Sequence, residues 1–274
     1  MRTLLVLIGL GLLPGCAVGP PGQPPPPEQS WLLRVAGIPP GALYPAITAV
    51  PGEPGRPLAA LPVTLRTAVE RGRDLWVQET WGRTGLACAV CHPDASMVRG
   101  WASGYPAAWL SDGDRDFRVK TLAEVIAGAV QGHLGLALSP DHEAVRDLEA
   151  FLAWQGDGAR LRPGVSGINR PAEGWLAELQ GSVERGRSRF VAACGRCHGP
   201  GVLAGAAAGF PAVVTGAGVL GLDAFIARHA RAELAASWSR PELADLTAYV
   251  VSLSKGWPLR AGRLVRLERQ RGRQ

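Results

Sequence analysis

Methionine and lysine are scarce in this chain. There are two Met, at Met1 and Met97, and Lys occurs only at Lys120 and Lys255. Aromatic residues make up 6% of the chain, although nine of them are Trp. No apolar run reaches the ~20 residues that span a bilayer as a helix; the longest, Leu4 to Leu13, is about half of that. There are five cysteines, and four of them fall into two short motifs. That leaves no pair for a disulfide and no third cysteine pair to complete a zinc site. Basic residues exceed acidic ones by six, but the excess is local. From Arg260 onward six arginines stand against Glu268 alone, and the rest of the mature chain is near neutral. Nucleic-acid binding is therefore not expected.

The motifs are Cys88-Ala-Val-Cys91-His92 and Cys194-Gly-Arg-Cys197-His198. C-x-x-C-H is the attachment signature of a c-type haem. Two thiols three residues apart reach the two vinyl groups of one porphyrin. The adjacent His then supplies the proximal nitrogen to iron. A redox C-x-x-C or half a zinc site would explain one copy; two copies favour two covalently attached haem c groups. The proximal ligands are then His92 and His198.

The N-terminus has the form of an export signal: Arg2, a short apolar middle, then Leu13-Pro14-Gly15-Cys16. This ending resembles the lipobox of bacterial lipoproteins, with Pro14 where a small residue is usual. Residues 1–15 are read as a lipoprotein-type signal peptide and Cys16 as the lipid-bearing residue. The alternative is ordinary cleavage near Ala17. Residues 16–30 form a Pro-rich tether, extended and stiff. The expected location is the periplasmic side of a membrane, held there by lipid.

A repeat follows. Val69-Glu70-Arg71-Gly72-Arg73 recurs as Val183-Glu184-Arg185-Gly186-Arg187. Each copy leads to an aromatic helix end and then to its haem motif, the first after eight extra residues. Gly104-Tyr105-Pro106 is matched by Gly209-Phe210-Pro211, and Asp147-Leu148-Glu149-Ala150-Phe151 by Asp245-Leu246-Thr247-Ala248-Tyr249. Amphipathic helices are expected near 121–132 and 221–234. The last helices are expected to start at Ser139-Pro140-Asp141 and Ser239-Arg240-Pro241-Glu242. The order is that of a cytochrome c domain written twice. The expected fold is mostly α, with an N-terminal cytochrome c domain over 31–160, including an irregular wrap. A linker follows over 161–180, then a C-terminal cytochrome c domain over 181–259 and a basic tail over 260–274. The tail's alternative readings are a partner- or lipid-binding feature and a solvated, frayed end.

Each iron also needs a distal partner, usually Met or His. Met97 has Leu203 as its counterpart and is read as packing. His229 and His133 lie near the ends of the two middle helices and are the expected distal ligands. His142 is expected to be exposed. Ligation by two imidazoles lowers the potential and closes the iron to small molecules, which favours electron transfer.

Over 66–258 these residues resemble the SoxA family of dihaem cytochromes of thiosulfate oxidation. The likeness rests on Arg71-Gly72, the first haem motif, Met97-Val98-Arg99-Gly100-Trp101-Ala102, Tyr105-Pro106 and Leu122. It also rests on Leu246-Thr247-Ala248-Tyr249-Val250 and Lys255-Gly256-Trp257-Pro258-Leu259. The resemblance implies a dihaem periplasmic protein with a small redox partner, such as a monohaem cytochrome c of the SoxX kind. In that family a cysteine seven residues into each middle helix ligates iron. Here those positions hold Ala129 and His229. Sulfur conjugation needs a thiolate nucleophile, so that activity is not expected to carry over. An electron relay is the expected role. The alternative is an oxidoreductase of the SoxA or thiosulfate-dehydrogenase kind using the first haem, with Arg99 and Arg118 attracting the anion.

Overall fold

The computed structural model describes residues 56–92, 100–110, 117–164 and 175–265. The signal segment, the tether with Cys16, the wrap up to residue 55, Met97, Arg99, residues 165–174 of the linker and residues 266–274 lie outside the described residues.

The fold is mostly helical. In order come α1 (Val63–Val77), α2 (Cys88–Cys91), α3 (Trp101–Gly104), a hairpin of β1 (Ala107–Leu110) and β2 (Phe117–Lys120), α4 (Leu122–Leu134) and α5 (Glu143–Gln155). The second half follows with α6 (Trp175–Ala193), β3 (Ala212–Val214), β4 (Gly218–Leu220), α7 (Leu222–Leu234), α8 (Arg240–Ser252) and β5 (Leu264–Val265). β3 lies between β4, antiparallel, and β5, parallel.

The repeat written in the sequence is repeated in space. α1 crosses α5 at Gly72, where a Cβ would meet the Asp147 carbonyl oxygen at 2.0 Å and the Phe151 Cβ at 2.9 Å. α6 crosses α8 at Gly186, where the distances to the Asp245 carbonyl oxygen and the Tyr249 Cβ are again 2.0 and 2.9 Å. Only glycine lets two helix backbones approach this closely. The residue before each glycine then grips the partner helix. Arg71 donates to both oxygens of Asp147 at 2.7 and 2.9 Å. Arg185 donates to both oxygens of Asp245 at 3.0 and 3.1 Å. An aromatic pair closes each crossing: Trp76 with Phe151 at 5.6 Å and Phe190 with Tyr249 at 5.3 Å between ring centres.

The two halves share one apolar core. Its largest cluster combines Leu65, Val69, Leu148 and Phe151 with Phe190, Leu246, Tyr249 and Val250. Polar contacts also cross the junction: Thr121 Oγ1 donates to Asp223 at 2.9 Å, and Arg240 pairs with Asp141.

Three expectations change. The helix expected to start at Ser139-Pro140-Asp141 starts at Glu143 and is capped by His142, whose Nδ1 accepts from the Ala144 amide. The earlier residues form a turn, closed by the His142 amide on the Ser139 carbonyl at 2.9 Å, and Asp141 is taken by Arg240. The expected linker is largely structured where it is described. Leu161 is buried and exchanges backbone bonds with Trp257 and Gly256, and α6 already runs from Trp175. The expected tail belongs to the fold as far as Val265. Ala261 is buried, Arg260 reaches the wholly buried Asp157 side chain at 2.6 Å, and β5 pairs with β3. The arginines of this stretch are interspersed with apolar residues, of which Leu259 and Ala261 are buried and Val265 packs on a cluster with Phe210 and Val214, so charge alone misplaces the boundary.

Candidate haem sites

α6 carries the second motif at its end. The helix closes with the Cys194 amide on the Phe190 carbonyl at 2.7 Å, and one further turn brings the His198 amide to the Cys194 carbonyl at 2.9 Å. Cys194, Cys197 and His198 thus share a single turn. Beside them lies a cavity of about 440 Å³, walled by Phe190, Val191, His198, Tyr249 and Leu253. The same α6–α8 crossing that buries the aromatic pair therefore forms its wall.

His229, on α7, faces this site. Its ring centre is 5.8 Å from that of His198. Phe225, one turn earlier, stacks on it nearly parallel, 5° apart, which fixes the ring plane. His229 Nδ1 is buried with no hydrogen-bond partner. Burial lowers the His229 pKa, His198 lowers it further, and Glu233 opposes. The neutral imidazole, the form that binds a metal, is the favoured one.

The first motif forms a one-turn helix, α2, with His92 as its cap and the His92 amide on the Cys88 carbonyl at 3.0 Å. Trp76 and Trp101 hold the His92 ring at 6.0 and 5.1 Å, Trp101 edge-on. His92 Nδ1 is buried without a partner. Burial is the main cause of its lowered pKa, and His133 adds to it. Burial also pushes the Cys88 thiol up to about 12.

His133 lies in the last turn of α4 and is exposed. It influences His92 electrostatically, but among the described residues the two rings make no contact. The eight extra residues of the first repeat explain how this end of α4 is held. The Arg83 amide donates to the Leu134 carbonyl and Thr84 Oγ1 to the His133 carbonyl, both at 2.8 Å. The insertion therefore anchors the backbone of the residue read as distal ligand. His142 is exposed. Arg118 is also exposed, on β2. Gln155 is a feature that sequence reasoning passed over: its amide is fully buried and unpartnered. By the Asp147–Asp245 register it is the counterpart of Leu253.

The residues fit a haem at each motif. Two cysteines and one histidine share each turn, buried imidazole nitrogens lack protein partners, and an apolar cavity adjoins His198. At the second motif His198 and His229, with ring centres 5.8 Å apart, are the two imidazoles that would hold the iron.

These features define a mostly helical, cytochrome c-type fold. No family model and no curated protein sequence matches the chain. Among solved structures it is similar to a chain in the crystal structure of SoxXA from P. pantotrophus. The TM-score is 0.59 at 19% identity, over 73% of this chain and 79% of that one. The as-isolated thiosulfate dehydrogenase (TsdBA) from Marichromatium purpuratum aligns over 75% of this chain and 50% of that one, at 21% identity and a TM-score of 0.32.

Proposed function

We propose that this chain is a dihaem c-type cytochrome that relays electrons on the periplasmic side of a membrane, within the oxidation of sulfur compounds. Cys88 and Cys91 hold the first haem and Cys194 and Cys197 the second, by thioether bonds. His92 and His198 are the proximal ligands; His229 and His133 are the distal ones. The bound groups supply one-electron redox chemistry. Burial lowers the pKa of His92 and His229, and the chain aims the imidazoles and excludes water with the Trp76–Phe151 and Phe190–Tyr249 pairs. The observation that carries this reading is the His198–His229 pair, 5.8 Å apart and stacked in place by Phe225. Two tandem cytochrome c domains, a lipid on Cys16 and a monohaem partner of the SoxX kind complete the proposal. The shared fold with a SoxXA chain supports the sulfur context.

A second reading has one specific observation in its favour. The exposed His133 makes no ring contact with His92, so the first site is the place for an exchangeable ligand and oxidoreductase chemistry on a sulfur oxyanion. Electron paramagnetic resonance of the purified exported protein separates the two. Two low-spin bis-imidazole signals support the relay. A high-spin signal, or a change at one haem on adding thiosulfate or sulfite, supports the enzyme. An intact mass without two haems refutes both.

A further inference from the structure

The junction of the two halves contains an acidic side chain with no polar partner. Glu149 lies on the inner face of α5. It is buried, 8% exposed, and, among the described residues, makes no hydrogen bond. Its carboxyl presses on Gly221, the residue capping α7: a Cβ there would sit 2.3 Å from Glu149 Oε2. Gly221 has an ordinary extended conformation, so glycine is required by this contact and not by its backbone angles. One residue into α7 comes Asp223, also buried. Glu149 and Asp223 line one cavity of about 50 Å³. Its walls draw on equivalent positions of both repeats, Tyr105 with Phe210, Pro106 with Pro211 and Leu122 with Leu222.

The two acids are treated differently. Asp223 accepts from Thr121 Oγ1 at 2.9 Å and from the Ala224 amide at 2.8 Å, and has Arg240 at 3.8 Å. Glu149 has none of these. The charged groups that bear on it are Asp223 from α7, Asp141 before α5, and Arg146 on its own helix. Glu124 of α4 and Arg240 of α8 act on Asp223 or are acted on by it. Tyr105 is the other titratable group on the cavity wall. A carboxylate moved into such a site without hydrogen bonds gives up its charge sooner than remain ionised.

We propose that Glu149 is a proton-binding site at the junction of the two halves, holding its carboxyl as the neutral acid opposite the Asp223 carboxylate, and that loss of this proton loosens the junction. Burial and the Asp223 charge both push Glu149 well above the usual carboxylate range, and Arg146 only partly opposes them. Two repeats then remain docked because one acid is silent; ionised, both would present like charges to one small cavity. This does not depend on what the haem sites do.

The sign follows from linkage. The folded protein holds the proton to higher pH than the unfolded chain, whose Glu titrates near 4.3. Above that value each pH unit weakens the folding equilibrium up to tenfold until Glu149 ionises in the folded state. The experiment uses the haem-loaded protein, with unfolding followed across pH and infrared spectra in the carbonyl region. Glu149→Gln is expected to make this decline shallower and to weaken the band of a protonated carboxylic acid; Glu124 and Asp223, also raised by burial, account for what is left. Asp223→Asn, which removes the opposing charge, is expected to shift the decline to lower pH. No such band in the wild type, or the same pH slope in the wild type and Glu149→Gln, overturns the proposal. So does a Glu149→Gln protein less stable at neutral pH with stability falling below pH ~4.3, which would mark Glu149 as an ionised cap on α7.

Discussion

The carbonyl oxygen of Asp147 lies 2.0 Å from where a Cβ on Gly72 would stand, and Asp245 stands in the same relation to Gly186. Backbone cannot yield that distance without separating the helices. Alanine at either glycine therefore has to push α1 off α5, or α6 off α8, and with it the aromatic pair that walls the haem site. Gly72→Ala and Gly186→Ala are each expected to cost about 3 kcal/mol, the upper end of overpacking. Thermal unfolding of the haem-loaded protein checks this. The haem content of each variant should fall as well, since the crossing forms the site.

Asp245 gathers more partners than its counterpart Asp147. Ser182 donates to it at 2.7 Å, Arg189 at 2.7 Å, and Arg185 twice, whereas among the described residues Asp147 takes Arg71 alone. Its own side chain is only 6% exposed, although the arginines are partly in solvent. Asp245→Ala leaves the buried Ser182 hydroxyl without its acceptor and takes one partner from Arg185, which keeps Glu178, and from Arg189, which keeps Glu242. Removing one member of such a set costs about 3 kcal/mol, discounted here because the arginines can rehydrate. Asp147→Ala should cost less. Denaturant midpoints of the two variants give the comparison.

The parts of the molecule that could be read in the sequence are those with short-range causes. Both C-x-x-C-H motifs, the Arg71-Gly72 and Arg185-Gly186 echoes, and the start of α8 at Ser239-Arg240-Pro241 are local patterns with local meaning. The hairpins were not legible: β3 and β4 have three residues each, and β1 reads Ala-Ala-Trp-Leu without alternation. Leu264 and Val265 lay hidden among arginines. Glu149 and Asp223 looked like ordinary acidic residues on amphipathic helices. Only the docking of one repeat on the other, across 74 positions of chain, turns them into a buried pair.

The two histidines proposed as distal ligands should respond differently to replacement. His229 is clasped by Phe225 and faces His198, so His229→Ala removes an imidazole from a formed pair. It should convert one haem from low spin to high spin and raise its potential. His133 is exposed and makes no ring contact with His92, so its replacement tests a weaker arrangement. His133→Ala is expected to convert the other haem, with the spin change visible by electron paramagnetic resonance. If the spectrum of His133→Ala equals that of the wild type, the first iron takes its sixth ligand elsewhere, and the oxidoreductase reading gains.

Acid sensitivity has a distinct source at the start of α8. The Ser239 amide and hydroxyl both donate to Glu242, at 2.9 and 2.8 Å. These bonds, first the amide and then the hydroxyl, hold the Glu242 carboxyl below its ordinary pKa. A group whose folded pKa is depressed contributes above its unfolded value, and the contribution disappears as pH falls through the folded one. Glu242→Gln should therefore flatten the acid limb of stability against pH while leaving the limb above neutrality unchanged. Ser239→Ala removes the hydroxyl's bond to Glu242 and should raise the Glu242 pKa toward its ordinary value.

Covalent attachment makes a simple count decisive. The chain has five cysteines, and thioether bonds to two haems would consume Cys88, Cys91, Cys194 and Cys197. Burial holds the Cys88 thiol near 12 and raises Cys194 as well. A free thiol at either place would therefore be slow to react in the folded protein but normal once unfolded, because the thiolate is the reactive form. The purified protein denatured in guanidinium is expected to show no reactive thiol if Cys16 bears lipid or leaves with the signal, and one if Cys16 is retained unmodified. Four additional thiols appearing on denaturation would mean that neither haem is covalently held. Two would mean that only one motif is loaded, and a tryptic map of the modified cysteines would say which.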